Sequence, residues 1–275
     1  MKLLKHISGL LLFLLVGISC SRVELDVNPD TTLEYQVNLS EMTKAFGEGD
    51  HVNYIWYALY NEDGTFFTSF NPVPVVDGVA HCTITFIKDH DYKVVFVGTR
   101  HLEDAEGRFT PIYNIDAEHG VINMPSQSVA NSEDLDCFFG TDAVRNNRCV
   151  NTSVTLRRIT SQLNFICKAA DWPTVNAPVK SSLVLTGVSG GYDMLDERFT
   201  ADKKQVTYSK ASLLTGPDQK VGADYRICSV YCLSGSDVIA QMKVYNSADA
   251  VSTPVNGVRI PIANNTKTNI YCKIQ

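Results

Sequence analysis

The stretch Val52-Asn-Tyr-Ile-Trp-Tyr-Ala-Leu-Tyr60, followed by Asn61-Glu-Asp-Gly64 and then Phe66-Phe67, decides the fold class. Aromatic and branched side chains dominate the first run, as they do in strands. The Asn-Glu-Asp-Gly segment carries the chemistry of a tight turn, and Phe66-Phe67 start a returning strand. The same style extends in both directions. Upstream, Thr32 to Leu39 alternates after a turn at Asn28-Pro29-Asp30. Downstream, Val79–Ile87 and Tyr92–Gly98 are predicted to pair across Lys88-Asp-His-Asp91. Residues 101–149 are more polar, with a short helix predicted near 131–139. Further strands are predicted at 152–168, 179–188, 203–213, 224–233, 237–246, 257–262 and 267–274. No segment sustains a 3.6-residue apolar period. Short strands without intervening helices indicate β-sandwiches, so the chain is predicted to be all-β. The irregular stretch before Val150 is the natural boundary between two halves of about 130 and 125 residues, ordinary domain sizes.

The chain has 275 residues, 44 % of them hydrophobic and 20 % charged, which is enough apolar side chain for real cores. The first 19 residues take Lys2 and Lys5 with them and no acid. The remaining 256 residues then hold 22 basic and 30 acidic side chains, a net charge of −8. That balance lacks the basic footprint of a nucleic-acid binder and the basic block that grips anionic lipid.

The N-terminus carries an export address. Met1 to His6 is short and basic, Ile7 to Val16 is apolar, and Gly17-Ile18-Ser19-Cys20 follows. These are the n-region, h-region and small-residue site of a secretory signal, with an apolar run too short to span a bilayer comfortably. With cysteine directly after the small residues, the segment resembles a bacterial lipobox, although Gly17 stands where leucine is usual. Residues 1–19 are therefore expected to be a signal peptide, residues 20–30 a lipidated linker, and residues 31–149 and 150–275 the two sandwich domains. Acyl chains on Cys20 would hold the mature protein on a membrane, since more than one chain gives stable anchoring. Ser21-Arg-Val-Glu-Leu-Asp26 loosely resembles the acidic surface-export signals of Bacteroidetes lipoproteins, with Arg22 interrupting it. The expected location is the outer membrane, lipid-anchored, with the cell surface favoured over the periplasmic face.

Seven cysteines remain after Cys20, and an odd number argues against a full disulfide framework. Cys82 alternates with Ile84 and Phe86, Cys167 with Leu163 and Phe165, and Cys272 with Ile270 and Ile274, so these read as small core hydrophobes. Cys228 and Cys232 lie four apart in a strand pattern, roughly 13 Å at about 3.3 Å per residue, which is too far for one disulfide or one zinc ion. Cys137 and Cys149 flank a polar, turn-rich segment and form the candidate disulfide.

Three further segments carry a family resemblance. They are Asp136-Cys-Phe-Phe-Gly140, Val154-Thr-Leu-Arg-Arg-Ile-Thr-Ser-Gln-Leu-Asn-Phe165 and the closing Ile260-Pro-Ile-Ala-Asn-Asn-Thr-Lys-Thr-Asn-Ile-Tyr271. Together with the lipobox they resemble the fimbrillin superfamily of Bacteroidetes surface lipoproteins, which includes type V pilins and their anchor and tip subunits. The resemblance implies two tandem transthyretin-like β-sandwich domains, a lipid anchor, and a structural or adhesive role with fimbrial subunits as partners by strand complementation. In that family a protease cuts after a basic residue and removes the first strand, whereas anchors keep their lipid. The basic residues available before Lys88 are Arg22 and Lys44. A cut after Arg22 would leave the Thr32–Leu39 strand in place, whereas one after Lys44 would remove it. An uncleaved anchor or accessory subunit is the favoured role.

The residues themselves ask for no catalysis. Gly187-Val-Ser-Gly-Gly191 matches a nucleophile elbow, but that fold places its histidine after the serine, and the last histidine here is His119. The histidines are scattered singly, at surface or strand-edge positions by expectation. The carboxylates Glu62-Asp63, Asp89/Asp91, Glu103-Asp104-Glu106 and Glu133-Asp134-Asp136 read as solvated loop acids, without a calcium loop. No metal site and no cofactor are expected. Arg157 and Arg158 are expected to reach the rim or pair with acids, Trp56 to lie in the core and Trp172 in a loop. The alternative function is a lipidated glycan-binding or glycan-uptake accessory protein.

Overall fold

Strand formation follows the two kinds of apolar pattern in the chain, strict alternation and unbroken runs. The computed structural model describes residues 31–39, 52–263 and 265–274. In chain order its strands are β1 (Thr31–Leu39), β2 (Tyr54–Asn61), β3 (Phe66–Ser69), β4 (Val73–Pro74), β5 (Val79–Phe86), β6 (Tyr92–Thr99), β7 (His101–Glu103) and β8 (Phe109–Pro111). Next come β9 (Asn114–Asp116), β10 (Val121–Asn123), β11 (Gln127–Val129), β12 (Cys137–Arg145), β13 (Arg148–Cys149), β14 (Ser153–Arg158), β15 (Ser161–Cys167) and β16 (Lys180–Ser189). The last are β17 (Gly191–Asp193), β18 (Arg198–Phe199), β19 (Lys203–Ser212), β20 (Lys220–Val221), β21 (Asp224–Cys232), β22 (Val238–Tyr245), β23 (Val251–Ile260) and β24 (Lys267–Tyr271). The fold is all-β, as expected. Among the described residues the only helical turns are short 3₁₀ pieces at Ala169–Asp171 and Gly216–Gln219.

The first sandwich is one continuous path, β3-β2-β6-β12-β14-β1-β5, folded back on itself. β14 is the corner. Its Ser153–Leu156 portion runs parallel to β1, while Arg157 and Arg158 pair with Phe139 and Phe138 of β12. Between the two layers lies a core containing Tyr35, Val37, Ile55, Leu59, Ile84, Phe96, Phe138 and Leu156. The second sandwich stacks β11-β19-β16-β22-β23 on β20-β21-β15-β24. Leu163, Phe165, Val230, Leu183, Leu185, Val206 and Met242 fill it.

The opening stretch explains how the two sandwiches join. Trp56, Ala58 and Tyr60 belong to the core of the second sandwich, whereas Ile55, Tyr57 and Leu59 belong to that of the first. β2 therefore sits in a layer buried on both faces, and such strands read as continuous apolar runs. A strap built from β9, β10, β17 and β18 covers the second face. Tyr60 donates its hydroxyl to Ala117 O at 2.7 Å, and Phe139 meets Tyr192 edge to face at 5.2 Å.

The β2–β3 hairpin forms as expected, with Gly64 at φ 85° in its turn. Three expectations change. β5 and β6 do not pair: β5 lies beside β1, β6 lies between β2 and β12, and the two face each other across the core. The helix near 131–139 is absent. Cys137 and Phe139 face one core and Phe138 the other, a period of two, so β12 is a strand. The 149/150 division is not where the sheets divide. β14 completes the first sandwich and β11 pairs with β19 in the second, so the predicted 152–168 strand is two strands in different layers.

Candidate functional site

The feature that bears on assembly is the setting of β1. Alternation places Tyr35 and Val37 in the core, with Leu33 and Leu39 packed at its margin, while Thr32, Glu34 and Gln36 face outward. β1 is antiparallel to β5 from Thr31↔Phe86 to Asn38↔Val79 and parallel to β14 from Gln36↔Ser153 to Leu39↔Leu156. Gln36 N donates to Thr152 O at 3.0 Å, Leu39 N to Gly78 O at 3.1 Å, and Asn38 Nδ2 to Ser153 Oγ at 2.9 Å. The Tyr35 ring meets Phe96 at 5.2 Å. Without β1, two main-chain edges and an apolar slot would lie open, the geometry that accepts an added strand.

The motif residues build the joint between the sandwiches. Arg158 donates Nε to Asp136 Oδ1 at 2.8 Å and Nη2 to Oδ2 at 2.7 Å, a bidentate pair with Arg158 7 % and Asp136 1 % exposed. Thr160 Oγ1 donates to the same carboxylate at 2.9 Å. The guanidinium lies 5.3 Å from the Phe138 ring centre and 5.4 Å from that of Tyr231. Burial pushes the Asp136 carboxyl above the ordinary carboxylate range, and Arg158 and Thr160 pull it back. The Gly that ends the first motif has a steric reason. A Cβ on Gly140 would meet Leu156 Cδ2 at 2.7 Å. Arg157 reaches the strap, donating to Tyr192 Oη at 3.2 Å and Glu197 Oε2 at 2.8 Å. The expectation of solvated acids at Glu133 and Asp136 is thus corrected: both are buried. Linear spacing could not reveal this, because the partner Arg158 arrives from another strand.

The Gly187–Gly191 segment does not form a nucleophile elbow. Ser189 is fully buried, and Lys203 Nζ donates to its Oγ at 3.2 Å. A serine–lysine pair needs backbone donors for an oxyanion. Here Ser189 N is spent on Leu233 O, Gly190 N on Asp202 O and Gly191 N on Thr200 Oγ1. The glycines serve packing, since a Cβ on Gly190 would strike Asp202 and one on Gly191 would strike Ile122 O. Among the described residues no three His, Cys, Asp or Glu side chains are grouped to hold a metal. His81, His90 and His119 are exposed, whereas His101 opens β7, a strand of a two-stranded sheet, and is buried against Tyr54. Arg145 ties Glu62 and Asp91 together at 2.9 Å each. Trp56 is in the core as expected. Trp172 stacks on Tyr225 at 4.3 Å and Lys220 Nζ lies 3.3 Å from the centre of that ring, so both faces of Tyr225 are taken.

The structure does not bring Cys137 and Cys149 together. On β12 Cys137 pairs with Thr99, whereas Cys149 sits opposite Val144, roughly 20 Å along the same strand at about 3.3 Å per residue. The two thiols also belong to different cores. Cys20, Arg22 and Lys44, with the signal segment, lie outside the described residues. No helix among the described residues is long and apolar enough to cross a membrane.

Among solved structures the chain resembles a DUF1812 protein of Bacteroides thetaiotaomicron, a candidate polysaccharide-binding protein, with TM-score 0.52 at 8 % identity over 87 % of this chain and 90 % of that one. This likeness is one of fold. A candidate cell-adhesion protein of Bacteroides ovatus aligns with TM-score 0.49 at 9 % identity, over 90 % of this chain and 96 % of that one. The fimbrial anchor protein Mfa2 of Porphyromonas gingivalis aligns with TM-score 0.48 at 14 % identity, over 85 % and 83 %. No curated protein matches the sequence. The family model that does match spans residues 20–274, and by that match the chain belongs to DUF6562, a family of unknown function.

Proposed function

We propose that this protein is a non-catalytic, lipid-anchored surface subunit of a fimbrial or adhesive structure, held to the outer membrane through Cys20 and retaining β1 as an anchor or accessory subunit. The single observation that carries the reading is the position of β1. It is the first described strand, it follows Cys20 by a short tether, and it fills a slot between β5 and β14 with main-chain pairing on both sides. A strand so placed has two fates in a strand-complementing assembly. Kept, it closes the subunit and ties the sandwich to the lipid. Cut away after Lys44, it opens a slot for a strand of another subunit. A cut after Arg22 would instead release the protein with the slot still filled. The Asp136–Arg158 joint and the Gly140–Leu156 contact give physical reasons for the motifs that resemble fimbrillins.

The test is the N-terminus of the cell-surface form. Mass spectrometry should find a lipid adduct on Cys20 and β1 still attached. A new terminus at Ala45, together with high-mass polymers on mildly heated gels, would overturn the anchor role. An unmodified Cys20 in the exported chain would overturn the lipid anchor.

A further inference from the structure

We propose that Cys167 and Cys272 are a disulfide-forming pair that fastens the last strand, β24, to the second sandwich when the chain is exported. The inference rests on the export reading above only for access to an oxidant. β15 and β24 run parallel, in register from Gln162↔Lys267 to Ile166↔Tyr271. The next rung is Cys167 beside Cys272, and Cys272 N donates to Ile166 O at 2.9 Å there. Laterally paired residues of parallel strands share a face. Cys167 lies within the core and Cys272 packs against the same core, so both thiols point inward. Cys272 Sγ lies 3.7 Å from Ile166 O, and Cys167 Sγ lies 3.5 Å from Lys168 O, so the two sulfurs sit on the peptides that flank Cys167. Neighbouring strands are about 4.8 Å apart, inside the Cα window of about 4.4–6.8 Å that a disulfide requires.

The other described cysteines meet no cysteine on their rungs. Cys82 faces Tyr35, Cys137 faces Thr99, Cys149 faces Val144, Cys228 faces Phe165 and Cys232 faces Ser161. The place also has a use for a covalent tie. Among the described strands β24 pairs only with β15, and it is five residues long, an edge strand with one described neighbour. A subunit bearing load would lose such a strand first.

The chemistry is thiol–disulfide exchange with a protein oxidoreductase carrying an oxidised dithiol. Cys272, the more exposed of the two, attacks as thiolate and forms a mixed disulfide, expelling one carrier thiolate. Cys167 thiolate then attacks the Cys272 sulfur and expels the second. The chain loses two protons and two electrons, and the carrier disulfide becomes a dithiol. Burial, with Cys167 close by, pushes the Cys272 thiol up to about 12, so the finished fold ionises it poorly and the bond belongs to folding.

The test uses the full chain, expressed with its leader in a Gram-negative host, acid-quenched, alkylated with N-ethylmaleimide under denaturing conditions and digested with trypsin without reduction. The expected product links Ile159–Lys168 to Thr268–Lys273, lighter than the sum of the two peptides by two hydrogens, with the other core cysteines alkylated. Cys228→Ser should keep the link and Cys272→Ser should lose it. A chain with its leader removed but with both cysteines alkylated overturns the proposal, as does a link from Cys272 to another cysteine. A chain that keeps its leader overturns the export reading instead. The proposal is then decided by refolding the reduced full chain in glutathione and glutathione disulfide: the same linked peptide supports it, and two alkylated thiols refute it.

Discussion

Replacing Asp136 by alanine tests whether the joint between the sandwiches depends on a buried ion pair. Three donors converge on this carboxylate: Arg158 Nε at 2.8 Å, Arg158 Nη2 at 2.7 Å and Thr160 Oγ1 at 2.9 Å. Removing the acceptor leaves a guanidinium that is 7 % exposed, set against the rings of Phe138 and Tyr231 and without the carboxylate that received its Nε and Nη2. Stranding one member of a buried pair costs about 3–5 kcal/mol. That is a large share of a typical stability of about 5–15 kcal/mol. With an m-value of about 2–3 kcal/mol/M in urea, the midpoint should fall by roughly 1–2 M. Urea unfolding followed by the fluorescence of Trp56 and Trp172 reads the shift in the chain lacking its leader. The double variant Asp136→Leu/Arg158→Met removes both charges at similar volume, so it should recover most of the loss and can exceed the parent in stability. A single-variant shift below about 0.3 M, a fraction of 1 kcal/mol on the same scale, would refute the reasoning. So would a double variant as unstable as the single one, because the cost would then lie in packing rather than in an unpaired charge.

Tyr35→Ala should destabilise by about 3–5 kcal/mol because the ring is buried against Phe96, whereas Gln36→Ala on the outer face should stay within about 0.5 kcal/mol; paired urea titrations check the contrast. Gly140→Ala places a Cβ 2.7 Å from Leu156 Cδ2 and should cost about 1–3 kcal/mol, partly recovered by Leu156→Val, with thermal unfolding as the readout. Burial lowers the His101 pKa below its ordinary 6.5, so below that value the unfolded chain binds a proton that the folded chain resists. His101 therefore favours folding above pH 6.5 and erodes stability as pH falls. His101→Phe should narrow the gap between stability near pH 7 and near pH 5, and equal slopes for parent and variant would contradict the argument.

Local chemistry in the sequence determined a good deal. Alternation at Thr32–Leu39 and at Cys82–Phe86 depends on a period of two that no partner strand can alter, so those faces were legible in advance. The Asn-Glu-Asp-Gly turn set the β2–β3 hairpin because its geometry is contained within neighbouring residues. The acidic balance, which lacks the basic footprint of a nucleic-acid binder, could be read at once, since charge is a sum and needs no fold. Pairing between distant segments was decided only in three dimensions. β14 and β15 read as one strand, yet they part at Ile159 and Thr160 because Leu156 fits against Gly140 in one core and Leu163 fills the other. Asp136 looked like a loop acid until Arg158 met it across β12 and β14. Cys137 and Cys149 looked like partners because they flank a turn, but an extended strand holds them apart, while Cys167 and Cys272, distant in sequence, come together where Cys272 N donates to Ile166 O. Periodicity and turn chemistry are properties of a few adjacent residues, whereas strand order is set by which apolar faces can close over one another, and that is settled by the whole chain at once.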